Sequence, residues 1–399
     1  MKNIISILII LLFVFSCTRF KDDVKEQIQN VNTVTPNTLN TKLKVANIKV
    51  DQEEFDFMYT NYNDDIEIEG TVSFYKGGEL IIDNEAVELQ IKGVFSSAFP
   101  LKTLGLKFED TFDNEDNILI NPDLLSSHSV EKVKAIRFRN SGNDFEKTML
   151  KDISYTKLAK DANLNLDLMY VEQVVVFVND VFYGLMNMRT EVNTNGVSRL
   201  YGVKKKTVTL AKITEGGVVE KKDGDLDRID RFVNAIDNSN YDYLISEIDE
   251  SNFIDYMIYE SYIGNRDWPK NNVRFFAIED GPFRFSLFDL DLVGTQNIDK
   301  SPSFFINNPI NNPITELFNV LYANQDFRAK YNARYKELVS SGVFSSDKFN
   351  TIVIEYQNNI EHIIPLHLKK YNTPETVTEW YLNIEELKYN FKQREEFIN

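Results

Sequence analysis

The sequence predicts an α+β fold of two lobes, with a sheet-rich first half and a helix-rich second half. Between Ala46 and Phe108, apolar residues alternate with polar ones at a period of two, as in strands with one buried face. From Asp225 onward, apolar residues recur every three or four positions, as in amphipathic helices. With 43% apolar and 13% aromatic residues among 399, the chain can bury a large core.

The charge and the rare residue types exclude several classes of protein. The net charge of −17, from 44 basic and 61 acidic residues, argues against nucleic-acid binding, because contact with a phosphate backbone requires clustered Lys and Arg. A basic substrate surface would be attracted more easily. Three His and a single Cys are too few for zinc clusters, disulfide frameworks or Cys–His nucleophilic pairs.

The first residues have the pattern of a bacterial lipoprotein signal peptide, predicted over residues 1–16. A short basic start precedes an apolar run from Ile4 to Phe15, which is too short to span a bilayer comfortably as a permanent helix. Cys17 follows at once, where such peptides are cut and the new N-terminal Cys is acylated. An ordinary signal peptide or a short anchor is the alternative. We therefore expect lipidation of Cys17, membrane attachment through it, and a location in the bacterial cell envelope.

A flexible tether and one large domain are expected after the signal peptide. Residues 17–45 are polar, rich in Asn, Thr, Lys and Asp, and lack periodicity. The domain is predicted over 46–399, with a sheet-rich lobe over about 46–190 and a helix-rich lobe over about 191–399.

The first lobe is predicted to hold an antiparallel sheet with one face exposed to water. Its early strands are separated by the turns Gly77-Gly78 and Asp83-Asn84. A strand from Val133 to Phe138, a helix to about Ala162 and a hairpin that turns at Asn179-Asp180 follow. In the second lobe, helical patterns flank the stretch Ile263–Thr295 and continue from Pro313 to the C-terminus.

The stretch Ile263–Thr295 carries four oxygen-bearing side chains at turns and strand ends. Asp267 precedes Asn272 by five residues, the spacing of the Asp and Asn in the catalytic loop of protein kinases. Asp289 is expected on the strand of a following hairpin, with Asp291 on the same face. This layout suits a hard metal ion and a phosphate-bearing ligand. The plainer interpretation is a helix-capping Asp267 and turn residues at strand ends.

Several separated motifs, in order, resemble those of the CotH family, the spore-coat-type kinase-like proteins. The resemblance extends from roughly Glu88 to Tyr371. Its segments are Phe138–Asp144 (FRNSGND), Val175–Gly184, Gly264–Val273 (GNRDWPKNNV), Phe288–Asp291 (FDLD) and Leu317–Leu338.

The resemblance implies a two-lobed, atypical protein-kinase-like fold, ATP with Mg²⁺ or Mn²⁺, and phosphoryl transfer to a protein. It implies that Asp267 is the catalytic residue, orienting the substrate hydroxyl or accepting its proton. Asn272 and Asp289 would bind the metal and nucleotide, with Asp291 as a second or supporting ligand. Which of the two aspartates is the principal ligand stays open, although the position after Leu287-Phe288 favours Asp289.

The resemblance also implies that Lys102 is the strand lysine that contacts nucleotide phosphates. A surface lysine on an edge strand is the alternative interpretation, and Lys107 is a second candidate for the role. Asp152, on the helix after the Asn-rich loop, could pair with this lysine, although such an acid is more often solvated.

Two segments depart from the family pattern. Lys92-Gly93-Val94-Phe95-Ser96-Ser97 stands where Arg-Gly-Asn-Ser-Ser is usual, and Thr190 stands where Glu is usual, with Glu191 one place later.

Three functions from different classes follow. The first is a membrane-anchored, metal-dependent kinase-like enzyme acting on an unidentified protein, supported by Asp267, Asn272 and Asp289 together. The second is a surface scaffold or binding protein with a kinase-like cleft, favoured by Val94 and Thr190. The third, glycoside hydrolysis by Asp289 and Asp291, has the least support.

Overall fold

The computed structural model describes residues 34–108, 119–120, 124–125, 132–294, 299, 302–307 and 312–398. The predicted signal peptide, Cys17 and the first part of the predicted tether lie outside these residues. Among the helices that are described, none combines the length and the apolar content needed to cross a membrane.

A closed barrel of seven strands forms most of the first half of the chain, in the order β1-β2-β3-β4-β7-β10-β9. These strands are β1 (Lys44–Val50), β2 (Glu67–Lys76), β3 (Glu79–Lys92), β4 (Thr103–Phe108), β7 (Ala135–Arg139), β9 (Val171–Val178) and β10 (Val181–Arg189). The short strands β5 (Leu119–Ile120) and β6 (Lys132–Val133) pair separately.

The barrel closes where β1 pairs in parallel with β9, from Lys44 opposite Val174 to Ile48 opposite Val178. The remaining neighbours in the barrel are antiparallel. The expected antiparallel sheet with one wet face holds for early strands such as β2, where Glu67 and Glu69 are exposed and Ile68 is buried, but its closure into a barrel through a parallel pair was not predicted. β1 also begins at Lys44, inside the range predicted for the tether.

Strand β9 shows how the barrel joins the helical lobe. Val174 and Val176 point into the barrel, whereas Val175 and Phe177 pack in the core of the second lobe. Both faces are buried, which is why this strand reads as a continuous apolar run rather than an alternating one.

A second sheet of five strands has the order β12-β11-β13-β14-β8. These are β8 (Asp167–Leu168), β11 (Val208–Thr214), β12 (Val218–Asp223), β13 (Val273–Ile278) and β14 (Arg284–Leu287). β8 comes from the first half of the chain and pairs in parallel with β14, so the two halves share this sheet.

The described helices are mostly in the second half. They are α1 (Gln52–Thr60), α2 (Lys151–Asp161), α3 (Thr194–Tyr201), α4 (Leu226–Asp237), α5 (Tyr241–Glu247), α6 (Glu250–Tyr262), α7 (Pro302–Asn307), α8 (Pro313–Ala323), α9 (Gln325–Ser340), α10 (Ser346–Ile360), α11 (Ile364–Tyr371) and α12 (Val377–Ile398). The predicted α+β class, with a sheet-rich first half and a helical second half, is confirmed. Helix α2 departs from this division, since Tyr155 and Leu158 pack in the helical core.

Candidate functional site

A cleft of about 380 Å³ lies between the outer face of the barrel and the second sheet. Its volume is in the range of small-molecule sites in proteins. Four of the predicted site residues line it: Asp267, Asn272, Asp289 and Asp291. The structure therefore brings together side chains from the two ends of the stretch that the sequence singled out.

Backbone hydrogen bonds hold the two ends of that stretch side by side. The Arg266 N–H donates to the carbonyl of Leu292 at 3.1 Å, and the Gly294 N–H donates to the carbonyl of Ile263 at 2.8 Å. The loop after α6 is also fixed by Asn265, whose side-chain oxygen accepts from the Asp267 N–H at 3.2 Å. This bracing positions Asp267 in the cleft.

Asp267 and Asn272 are half-buried neighbours. The Asn272 side chain donates from Nδ2 to Oδ2 of Asp267 over 3.4 Å. Burial, and next the negative charge of Asp289, raise the pKa of Asp267 above its ordinary value of 3.8. A carboxylate whose proton affinity is raised in this way is suited to orient a hydroxyl or accept its proton.

Asp289 lies in the turn after β14, not on a strand as expected. Its φ of +63° is in the left-handed region, which turns the chain sharply at this point. The next N–H, of Leu290, donates to Oδ1 of Asp152 at 2.8 Å, which attaches the turn to helix α2. The two aspartates of this turn differ in exposure. The Asp289 side chain is 27% exposed, and the Asp291 side chain is 3% exposed.

The guanidinium of Arg139 lies between the two aspartates. Its Nη2 contacts Oδ1 of Asp289 and lies 2.5 Å from Oδ2 of Asp291. The same Asp291 oxygen accepts from the backbone N–H of Asn143 at 2.9 Å. Although burial acts in the opposite direction, Arg139 and Arg189 lower the pKa of Asp289. Burial raises the pKa of Asp291.

The oxygen donors fit a hard divalent cation, with Asp289 as the more accessible ligand. Asn272 contributes an amide and Asp289 a partly exposed carboxylate; Arg139 contacts both aspartates, and Asp291 also accepts from the Asn143 N–H. The described part of the chain has no group of three or more His, Cys, Asp or Glu residues placed to hold a metal. Mg²⁺ commonly binds through one or two carboxylates plus waters and substrate phosphates, which this set can satisfy.

Cationic side chains are concentrated in the cleft despite the acidity of the chain. Five cationic residues line it against four acidic ones: Arg137, Arg139, Arg189, Lys212 and Arg274, and Glu191, Asp267, Asp289 and Asp291. Burial, and next the charge of Arg139, lower the pKa of Arg189 to about 10, so this guanidinium remains charged near neutral pH. The cleft therefore has one more cationic than acidic side chain, in a chain with a net charge of −17, which favours an anionic ligand there.

A protein-family model described as CotH kinase protein matches residues 89–398 of this chain. The chain belongs to the CotH kinase protein family. A comparison with curated proteins found no match. Among solved structures, the chain is similar to one in the complex of HipA, HipB and operator DNA from a toxin–antitoxin system of Shewanella oneidensis MR-1, at 12% identity and a TM-score of 0.29. That match covers 86% of this chain and 78% of the other.

Lys102 of this CotH-family protein does not line the cleft with the aspartates. Its Nζ donates to the carbonyls of Ser97, at 2.7 Å, and Phe99, at 3.3 Å, and lies 3.8 Å from the centre of the Tyr62 ring. Burial lowers its pKa. These hydrogen bonds of Lys102 stabilise the loop after β3. The second candidate, Lys107, pairs with Glu88.

Two of the cleft arginines follow from the pattern of β7, although sequence reasoning did not propose them. In Ala135–Arg139 (AIRFR), Ile136 and Phe138 fill the barrel, so Arg137 and Arg139 project from its outer face. Antiparallel register then places Arg189 opposite Arg137. Arg189 pairs with Asp152 at 2.8 Å, so Asp152 has a different cationic partner from the expected lysine.

The two departures from the CotH pattern lie at the rim of the cleft. The Thr190 hydroxyl accepts a hydrogen bond from the backbone N–H of Tyr170 at 3.1 Å. Glu191 lines the cleft and pairs with Arg137. In the loop after β3, Gly93 has a φ of +111°, and Val94 is 95% exposed. The change from Asn to Val therefore leaves an apolar side chain at the tip of this loop.

Proposed function

We propose that this CotH-family protein is a kinase that transfers phosphate from ATP to a protein, with a divalent metal. The observation that carries the proposal is the placement of Asp267, Asn272 and Asp289 in one cleft with five cationic side chains, in a chain with a net charge of −17. Phosphoryl transfer needs positioning and charge stabilisation of this kind, and little covalent chemistry from the protein.

Each group has a role in the proposed reaction. Asp267 orients the acceptor hydroxyl and takes its proton. Asn272 and Asp289 would hold Mg²⁺ or Mn²⁺, with Asp291 in support, and the metal would neutralise charge on the transferred phosphoryl group. Arg189 and Lys212 would contact the phosphates, since both line the same cleft.

An apolar cluster beside the cationic residues supports a nucleotide rather than a free phosphate. Met169, Val192 and Phe288 pack together and line the cleft. Phe288 is also stacked under Arg274, whose guanidinium lies 4.8 Å from the ring centre. A purine ring is flat and apolar enough to lie against such a surface while its phosphates reach the cations.

We also propose that the protein acts in the bacterial cell envelope, on a protein substrate there. The signal-peptide pattern before Cys17 supports lipid attachment at that residue, and the polar residues that follow would separate the domain from the membrane.

Incubation of the full chain with γ-labelled ATP and Mg²⁺ or Mn²⁺ tests the proposal. We expect metal-dependent release or transfer of label, lowered about 10²-fold or more in Asp267→Asn, because a positioned general base contributes about that much. The matched control is Asp280→Asn, which changes an exposed acid in the turn after β13. Activity that survives Asp267→Asn would contradict the role of this carboxylate.

One observation favours the second candidate, a kinase-like binding protein without transfer activity. Arg139 contacts both carboxylates that would serve a metal. In that case Mg²⁺ with ATP would bind without transfer, and Asp267→Asn would leave label release unchanged.

A further inference from the structure

Arg139 contacts the same carboxylates that the proposed metal requires. Its Nη2 is in contact with Oδ1 of Asp289 and lies 2.5 Å from Oδ2 of Asp291. The contact with Asp291 joins residues 152 positions apart in the chain, so it depends on the folded cleft rather than on local sequence. The Arg139 side chain is 10% exposed, which leaves it little freedom in solvent.

The surrounding backbone is shaped around this contact. Gly142 has a φ of +56°, and a Cβ built on it would lie 1.9 Å from Oδ2 of Asp291 and 2.4 Å from Nη2 of Arg139. Any side chain at position 142 would therefore displace the pair. The Asn143 N–H, which donates to the same Asp291 oxygen at 2.9 Å, holds the carboxylate in place.

A divalent cation that arrives alone would have to replace these interactions. Charge-assisted hydrogen bonds are about twice as strong as neutral ones, and the single guanidinium contacts both carboxylates. Displacing it without a new partner would leave a buried cation uncompensated, which is strongly unfavourable.

An anionic ligand would give Arg139 a new partner within the same cleft. The Nε of Arg139 and the Nε of Arg189 are both buried and have no hydrogen-bond partner among the described residues. Both residues line the cleft, and the guanidinium fork matches phosphate oxygens. A phosphate could therefore engage Arg139 as it leaves the aspartates.

We propose that Arg139 couples the two ligands: it blocks metal binding at Asp289 and Asp291 until a nucleotide phosphate engages its guanidinium. Metal and nucleotide then bind together, and the metal binds only weakly alone. This inference rests on the proposed function of the cleft and assigns Arg139 as the positioning residue that makes metal affinity depend on nucleotide.

Binding of Mn²⁺ to the full chain, followed by electron paramagnetic resonance with and without a non-hydrolysable ATP analogue, tests the coupling. For the unaltered chain, the analogue should tighten Mn²⁺ binding about tenfold or more, the change expected when a competing charge-assisted contact is removed. Arg139→Met should bind Mn²⁺ alone about tenfold or more tightly than the unaltered chain, and the analogue should add less. Such a gain of affinity is not produced by structural damage.

Two variants serve as controls. Arg139→Lys keeps the cation and should keep binding of Mn²⁺ alone weak. Arg334→Met removes a partly buried cation that pairs with the buried Asp255 outside the cleft, and should leave binding of Mn²⁺ alone unchanged. If Arg139→Met does not fold, the thermal midpoint of the unaltered chain decides: Mg²⁺ alone should not raise it, whereas Mg²⁺ with the analogue should.

The outcomes separate this inference from the proposed function. Equal Mn²⁺ affinity with and without the analogue, or equal affinity in the unaltered chain and Arg139→Met, would overturn the coupling while metal binding itself stands. The same holds if Mg²⁺ alone raises the thermal midpoint as much as Mg²⁺ with the analogue. Absence of Mn²⁺ binding under every condition would overturn the proposed function and the coupling with it.

Discussion

Asp267 stands next to a second carboxylate in a half-buried position, and this neighbourhood sets its pH behaviour. Burial and the charge of Asp289 both raise its pKa. A carboxyl group whose folded-state pKa is raised contributes stability at low pH and loses that contribution as the pH rises through the folded value. At neutral pH the ionised side chain therefore adds no stability from this source, and its proposed role is in the reaction.

For this residue we predict that kcat/KM falls as the pH drops through the raised pKa, because the protonated form cannot accept the hydroxyl proton. Asp267→Asn should abolish this acid limb along with most activity and should not lower the thermal midpoint at pH 7. A pH–rate profile and a thermal melt check both points. A pH-independent rate on the acid side, or a large loss of stability in Asp267→Asn, would contradict them.

The site residues of the single stretch Ile263–Thr295 were predictable, whereas contacts between distant segments of the chain were not. Asp267 and Asn272 share one stretch and a recognisable spacing, so their proximity follows from the loop itself. The direction of Lys102 depends on the aromatic side chains around it, Tyr59 and Tyr62 on and just after helix α1. The contact of Arg139 with Asp291 spans 152 positions and could not be inferred from spacing.

The turn after β7 is the element on which the approach of Arg139 to Asp291 depends. Gly142 combines a positive φ with a backbone that passes within contact distance of both side chains. An L-residue in this conformation costs about 1 kcal/mol. Overpacking adds about 1–3 kcal/mol more.

Accordingly, Gly142→Ala should lower the free energy of unfolding by about 2–4 kcal/mol, the sum of these two effects. Gly202→Ala is the matched control, since Gly202 has a φ of +65° but an added Cβ would meet nothing within 4 Å. It should cost only about 1 kcal/mol. Denaturant unfolding measures both, and equal losses would show that the close approach at Gly142 is not constraining.

The C-terminal helix α12 contacts the end of α6, the helix that precedes the loop of Asp267 and Asn272. Arg394 is buried and donates from Nε to the carbonyl of Tyr262 at 2.7 Å and from Nη2 to the carbonyl of Ser261 at 2.6 Å. These carbonyls are at the end of α6, where helical partners run out, and a cation suits the negative end of a helix.

Arg394→Met should therefore destabilise the protein by about 1–3 kcal/mol, because it removes the donor to the carbonyl of Tyr262, whereas the carbonyl of Ser261 keeps the Gly264 N–H at 3.3 Å. Lys392→Met, two residues earlier on the same helix with a 61% exposed side chain, should change stability by less than about 0.5 kcal/mol. Chemical denaturation of the two variants provides the comparison. An Arg394→Met variant as stable as the unaltered chain would mean that the end of α6 does not need this cation.

The apolar periodicity of the sequence predicted most individual strands and helices. The pairing of strands distant in the chain was not predictable. Alternation within β2 and β3 indicates a buried face without showing that β1 and β9 meet to close a barrel. The continuous apolar run of β9 indicates a strand buried on both faces, and such a strand must contact two cores.

Across the whole molecule, the charge of the cleft differs in sign from the net charge of the chain. The chain carries −17, yet its cleft has five cationic side chains and four acidic ones. If the cleft binds an anion as proposed, this local excess of positive side chains would favour binding there over the rest of the acidic chain. This distribution was not predictable from the composition, because the cations come from strands β7, β10, β11 and β13, which only the fold brings together.

The central claim is that the cleft binds a metal–nucleotide complex through Asp289. Thermal unfolding of the full chain with Mg²⁺ and ATP tests it most directly, with Asp289→Ala beside Asp280→Ala as the exposed control. The unaltered chain and the control should gain about 2.7 kcal/mol at a ligand concentration 100 times Kd, and Asp289→Ala should gain none. Absence of stabilisation in the unaltered chain, or equal stabilisation in Asp289→Ala, would contradict the account.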